Sequence, residues 1–137
     1  MLNITVKSKY GLSAVVELAF RRNSGSMQIK ALAESNGIPQ NFLEQLLVDL
    51  KQAGLVISFR GSQGGYALAK SPDAITVREV LEALSGKAQV ATGHKGCESL
   101  DFFWEDVEAK INAIFDMTIS QLISDKQRRE KMLTFTI

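Results

Sequence analysis

The segment Gln28–Lys70, QIKALAESNGIPQNFLEQLLVDLKQAGLVISFRGSQGGYALAK, constrains the fold more than any other stretch of this 137-residue chain. Ile29, Leu32 and Ala33 recur at helical spacing and stop at Asn36-Gly37, because glycine tolerates the left-handed conformation that ends helices. Ile38 turns inward, and Pro39 opens a second helix, where its missing N–H costs nothing. Leu43, Leu46, Leu47 and Leu50 form the buried stripe of that helix. Leu55–Phe59 and Tyr66–Ala69 then read as two strands around the glycine-rich tip Arg60–Gly65. Two short helices, a tight turn and a hairpin outline a winged helix-turn-helix, a fold in which the second helix enters a DNA major groove.

At about 100° per residue, Asn41, Glu44, Gln45, Val48 and Gln52 project away from the leucine stripe. Gln and Asn side chains suit adenine, and a carboxylate accepts from cytosine N4, so Asn41, Glu44 and Gln45 are the candidate base readers. A solvated polar face explains the same residues for the helix in isolation; the adjoining hairpin favours the reader. Arg60, with Gln63 beside it at the tip, is placed to enter a narrow minor groove, which attracts arginine. The glycines of the tip give a thin backbone that can approach a phosphate closely. A nucleotide-binding loop is excluded, since neither a Lys-Ser/Thr pair nor a strand-to-helix transition follows them.

Residues 4–22 start with a strand-like alternation and become helical, with Leu12, Val15, Val16, Ala19 and Phe20 on one face. Lys7, Lys9 and Tyr10 near its start are candidate phosphate contacts, which position a protein on DNA without reading sequence; a solvated helix end is the alternative. Beyond the hairpin, Thr76 and Glu79 form a capping box for a helix that buries Val77, Val80, Leu81 and Leu84. Lys87–Ser99 has no periodicity and reads as a loop. Leu100, Trp104, Val107, Ile111 and Ile114 then follow the a/d spacing of a coiled-coil seam, widened by Phe103 and Phe115. Such a helix either packs back on its own domain or joins a second copy; self-association fits the two-fold symmetry of bacterial operators. Thr118 caps a short last helix through Leu122 and Ile123, Lys126–Lys131 reads as a solvated tail, and Met132–Ile137 as a docking strand. The expected fold is therefore mainly α with a small β-hairpin. A winged helix-turn-helix domain spans 1–85, a loop that is a candidate sensing region spans 86–99, and a dimerisation helix with a tail spans 100–137.

Composition narrows the function. With 45% hydrophobic and 23% charged residues the chain is globular, and its length supports one core. No apolar run can span a bilayer and the N-terminus has no signal-peptide core, so a cytoplasmic protein without membrane contact is expected. Residues 1–70 hold eight Lys/Arg against four Asp/Glu, a balance of +4; residues 71–137 hold eight against eleven, or −3, which accounts for the net +1. The basic half is the one carrying the reader, as phosphate neutralisation requires. An enzyme is not expected, because the one nucleophile–base pair, His94 and Cys97, lies three residues apart in a loop with no orienting group. Glu105 and Glu108 sit on the polar side of a helix, where solvation accounts for them. A winged-helix module that binds protein and not DNA is the alternative function, and it would associate without steep salt dependence.

Taken together, Lys9-Tyr10-Gly11-Leu12, Phe42-Leu43-Glu44-Gln45-Leu46, Ala53-Gly54-Leu55-Val56, Arg60-Gly61, Gly64-Gly65-Tyr66 and Asp73-Ala74-Ile75-Thr76 resemble the Rrf2-type winged-helix regulators of bacteria. The resemblance implies a homodimeric transcriptional regulator, usually a repressor, that dimerises through its long C-terminal helix and binds a double-stranded operator. It also implies that Glu44 and Gln45, with Asn41, meet bases and that Arg60 enters the minor groove. Cluster-binding members of that family carry three cysteines near the loop before the dimer helix, whereas this chain has only His94 and Cys97 there. Iron–sulfur clusters are held mostly by thiolates, so no cluster, other cofactor or metal is expected. A site shared between two subunits through paired His94 and Cys97 has suitable ligand types, but a plain surface loop is the simpler reading. In this the chain is similar to the branch of cysteine-metabolism repressors, which implies control by a regulatory protein partner or by thiol oxidation. Cys97 is the candidate sensor, with Lys95 favouring its thiolate and Glu98 opposing it.

Overall fold

A computed structural model describes residues 4–62, 64–85 and 98–136. The first helix, α1 (Val6–Phe20), begins inside the stretch whose alternation suggested a strand. Thr5 caps it: its hydroxyl accepts from the Ser8 N–H at 3.1 Å, and the Thr5 N–H reaches the Ser8 hydroxyl at 3.5 Å. A side-chain cap satisfies end groups that a lone strand would leave unpaired, so the cap overrides the alternation. The buried face is also rotated from the expected one, running through Ser8, Gly11, Ala14, Val15, Leu18 and Ala19. Gly11 lets α1 close on Leu84: a Cβ there would lie 2.0 Å from Leu84 Cδ1, so the leucine side chain would have to move. Leu12, Val16 and Phe20 instead line a cleft of about 1000 Å³ with Leu122, Ile123 and Leu133, and Phe20 stays 65% exposed.

The helix-turn-helix forms as its spacing predicts. α2 (Ile29–Asn36) stops at Gly37, whose φ of 64° is left-handed, and α3 (Gln40–Gln52) follows with Pro39 as its cap residue, one position before the helix proper. Leu43, Leu46, Leu47 and Leu50 are fully buried, which anchors one side of α3 and fixes what its other side presents. At roughly 1.5–3 kcal/mol for each fully buried leucine, this stripe is a major part of the core. β1 (Val56–Phe59) and β2 (Gly65–Leu68) pair antiparallel, with Val56 opposite Leu68 and Phe59 opposite Gly65. Met27 adds a strand stub on the far side of β2, exchanging two 2.8 Å backbone hydrogen bonds with Tyr66.

α4 (Val77–Ser85) buries Val77, Val80, Leu81 and Leu84 as expected. Half of its capping box forms: Thr76 Oγ1 accepts from the Glu79 N–H at 3.1 Å, but the Glu79 carboxylate accepts from Lys70 Nζ at 3.0 Å. Buried Ser8 meets the Ser85 hydroxyl at 2.5 Å, which ties the start of α1 to the end of α4. Residues 98–100 form a 3₁₀ turn leading into α5 (Asp101–Phe115), and α6 (Ile119–Thr136) completes the chain. The junction between these helices is joined to the winged domain. The Val77 N–H donates to the Met117 carbonyl at 2.9 Å, the Ile119 N–H donates to the Ile75 carbonyl at 2.8 Å, and Phe115 and Ile119 sit in the common core.

The C-terminal expectations need correction. The last helix is not short: α6 takes in both the charged run read as a solvated tail and the segment up to Thr136 read as a docking strand. Its cap is reciprocal, with Thr118 Oγ1 accepting from the Gln121 N–H and the Thr118 N–H donating to Gln121 Oε1. Lys126 pairs with Glu130 and Arg128 with Asp125 at helical spacing, so the charges that suggested a tail support a helix instead.

Candidate nucleic-acid interface

Core packing turns α3 so that Asn41, Glu44, Gln45, Val48 and Gln52 all lie exposed on its outer side. Asn41, Glu44 and Gln45 make no hydrogen bond or ion pair among the described residues, so their polar groups are uncommitted. The helix is braced at several points. Near its start the Phe42 ring meets Tyr10 edge-on, with centroids 5.7 Å apart and planes at 78°. One face round, Lys7 Nζ pairs with Asp49 Oδ2 at 2.5 Å. Near its end Lys51 Nζ donates to Ser58 Oγ at 2.7 Å, which ties α3 to the first strand of the wing. The Lys7–Asp49 pair is about one-third exposed on both sides, so it adds at most about 1 kcal/mol. Its larger consequence is electrostatic, because it neutralises a carboxylate on a helix that would approach phosphates.

The three residues expected at phosphates are therefore divided. Lys7 and Tyr10, three apart on α1, both turn to α3, whereas Lys9 turns toward α6 and lines the cleft between α1 and α6. Residues this close along a helix cannot all share a face, and the strand-like alternation at the start of residues 4–22 concealed that.

On the wing, Arg60 follows β1, is exposed, and has no ion pair among the described residues. Gln63 lies outside the described residues, as do His94 and Cys97. The structure gives the wing glycines a role that spacing did not reveal. Gly65 has a φ of 145°, and a Cβ there would lie 2.4 Å from the Met27 carbonyl oxygen; one at Gly64 would lie 2.7 Å from the Gly61 carbonyl oxygen. These glycines let the wing close on its own backbone, whatever else approaches it. The pairing of Gly-Gly-Tyr with a strand stub nearly forty residues upstream in sequence leaves no local signal.

Of the expected seam, Ile111 packs against the core of its own chain, while Leu100, Trp104 and Ile114 are 49%, 50% and 60% exposed. Phe102, absent from that reading, is exposed as well, and Phe103 and Trp104 meet edge-on with centroids 4.9 Å apart. Among the described residues there is no group of three or more His, Cys, Asp or Glu side chains able to hold a metal. No described helix is long and apolar enough to cross a membrane.

Comparison with known proteins agrees with this architecture. Residues 4–125 match the family described as Rrf2, iron-dependent transcriptional regulator. The chain is 41% identical over 85 residues to the HTH-type transcriptional regulator CymR of Bacillus subtilis, a match covering 62% of each chain. It is 31% identical over 134 residues to the HTH-type transcriptional regulator IscR of Aliivibrio salmonicida, covering 92% of this chain and 80% of that one. The solved structure of CymR, the global cysteine regulator of B. subtilis, superposes with a TM-score of 0.83 at 34% identity, covering 90% of this chain and 98% of that one. The family description names iron; iron–sulfur clusters are held mostly by thiolates, and this sequence holds one cysteine and one histidine.

Proposed function

Because the chain belongs to the Rrf2 family of transcriptional regulators, we propose that it is a homodimeric repressor that occupies a two-fold operator in the cytoplasm and blocks transcription there. The observation that carries this reading is the outer side of α3, where Asn41, Glu44 and Gln45 stand uncommitted on a helix braced against the wing. α3 enters the major groove and these three residues meet base edges, while Arg60 and Gln63 reach the flanking minor groove. Of the three phosphate candidates, Lys7 and Tyr10 support α3 from its side of α1, whereas Lys9 faces the cleft with α6 and takes no part in this contact. Leu100, Trp104, Val107, Ile111 and Ile114 contribute to the dimer interface, Ile111 by bridging from its own core. Dimerisation places two copies of α3 about one helical turn apart on DNA.

The protein works without an iron–sulfur cluster, and its signal is a thiol oxidant, a metabolite or a partner protein. The single thiol, Cys97, is the first place to look. If Cys97→Ser leaves an oxidant's effect on DNA binding intact, the thiol route is excluded.

The test of the whole reading is selection of genomic DNA fragments by the purified protein at physiological salt, with Arg60→Ala as control. Enrichment of a few promoters sharing an inverted repeat, reduced in Arg60→Ala, supports the repressor. Salt-insensitive capture of a protein, with no DNA enriched, would make this winged helix a protein-binding module instead.

A further inference from the structure

We propose that Val48 reads the C5 methyl group of a thymine in the operator, an inference that rests on α3 being the DNA-reading helix. The buried leucines of α3 point one way and Val48 points almost directly the other: at about 100° per residue it lies between Glu44 and Gln45 and within about 40° of Asn41 and Gln52. Its neighbours on that arc are all polar. Val48 is 50% exposed and is not among the apolar side chains packed against the core. The other exposed apolar residue of α3, Phe42, is already engaged with Tyr10.

The chemistry of the major groove gives an apolar side chain in this position one partner. Base edges there offer donors and acceptors, which suit Asn, Gln and Glu, and the thymine methyl is the single apolar group among them. A β-branched side chain in a helix is held near one rotamer, so Val48 presents its methyl groups in a fixed direction with little entropy left to lose. The braces at Phe42 and Lys51 hold the helix on either side of it. Val48 lies about 4.5 Å beyond Gln45 and about 10.5 Å beyond Asn41 along α3, so its contact lies beyond theirs along the helix.

The experiment uses the full chain and the operator it selects, with each thymine of a half-site replaced in turn by uracil, which lacks only the methyl. For the unmodified protein, one uracil position per half-site should weaken binding about fourfold, the factor corresponding to ~0.8 kcal/mol for one buried methyl group. In Val48→Ala that position should lose its uracil sensitivity, while the salt dependence of binding stays unchanged. Val48 is exposed, so this substitution leaves the core intact. The proposal is overturned if no uracil weakens binding to a selected operator, or if the sensitive position is equally sensitive in Val48→Ala. If the protein prefers no DNA sequence at all, the assignment of α3 as reader falls and the proposal falls with it, an outcome distinguishable from the other two.

Discussion

Gly65 shows how a residue can be set by its own backbone even where a ligand role suggests itself. With a φ of 145° and the Met27 carbonyl 2.4 Å from any added Cβ, Gly65→Ala must either strain the wing or break the Met27–Tyr66 bridge. It should lower stability by about 3 kcal/mol, seen as a reduced urea midpoint; an unchanged midpoint would mean the wing relaxes freely. Glu44 is a different kind of residue, costing little to the fold and carrying a charge of the wrong sign for phosphate. Its expected role is selectivity. Glu44→Ala should change base preference at one operator position by about 1–3 kcal/mol, measured by binding to single-base operator variants, and a uniform change across all positions would remove it from the reading set. The outward arc of α3 was legible in the sequence because helix spacing is local. The separation of Lys9 from Lys7 and Tyr10 was not, because it depended on knowing where α1 begins.

Among elements, α6 departs furthest from its sequence reading. A mostly cationic run, Lys126–Lys131, looks like a tail when composition alone is weighed. Its Lys126 and Glu130 pair with each other, and its Arg128 with Asp125, once Thr118 and Gln121 start the helix. Pairs of this kind contribute only a few tenths of a kcal/mol each, so the helix depends on its buried first turn. Ile119 is fully buried there, and its backbone bonds to Ile75. Ile119→Ala should cost about 2–5 kcal/mol in denaturant unfolding and lower the stability of the winged domain together with α6. A loss below about 1 kcal/mol, or a separate early transition for α6, would show that the C-terminal helices are only loosely attached.

The whole molecule is divided by what each surface lacks. The N-terminal half has a basic balance and an uncommitted polar arc on α3, the requirements of a DNA-facing side. At the other end, the start of α5 and the turn before it leave Leu100, Phe102, Phe103 and Trp104 about half exposed or more, an apolar strip on which a second copy could pack. Trp104→Glu places a charge in that strip without touching the buried core. Sedimentation should then show a monomer at concentrations where the unmodified chain is a dimer, and operator binding should weaken because the two half-sites are no longer held together. An unchanged mass would remove α5 from the interface.

Sequence by itself determined the parts whose causes lie within a few residues of one another: α2 ending at Gly37, the leucine stripe of α3, the hairpin and the Thr76 cap, while the motifs those parts carry resemble the family to which the chain belongs. Helix periodicity, caps and turn glycines act over one or two turns of chain, so they can be read in order. Tertiary structure alone decided which faces of α1 and α5 are buried. It sent Ile111 and Phe115 home to the core and left Trp104 exposed, rotated α1 onto Leu84, and closed Gly65 against Met27. Burial of these two helices is settled by residues far apart in the chain competing for one interior, and their local patterns do not record the outcome of that competition.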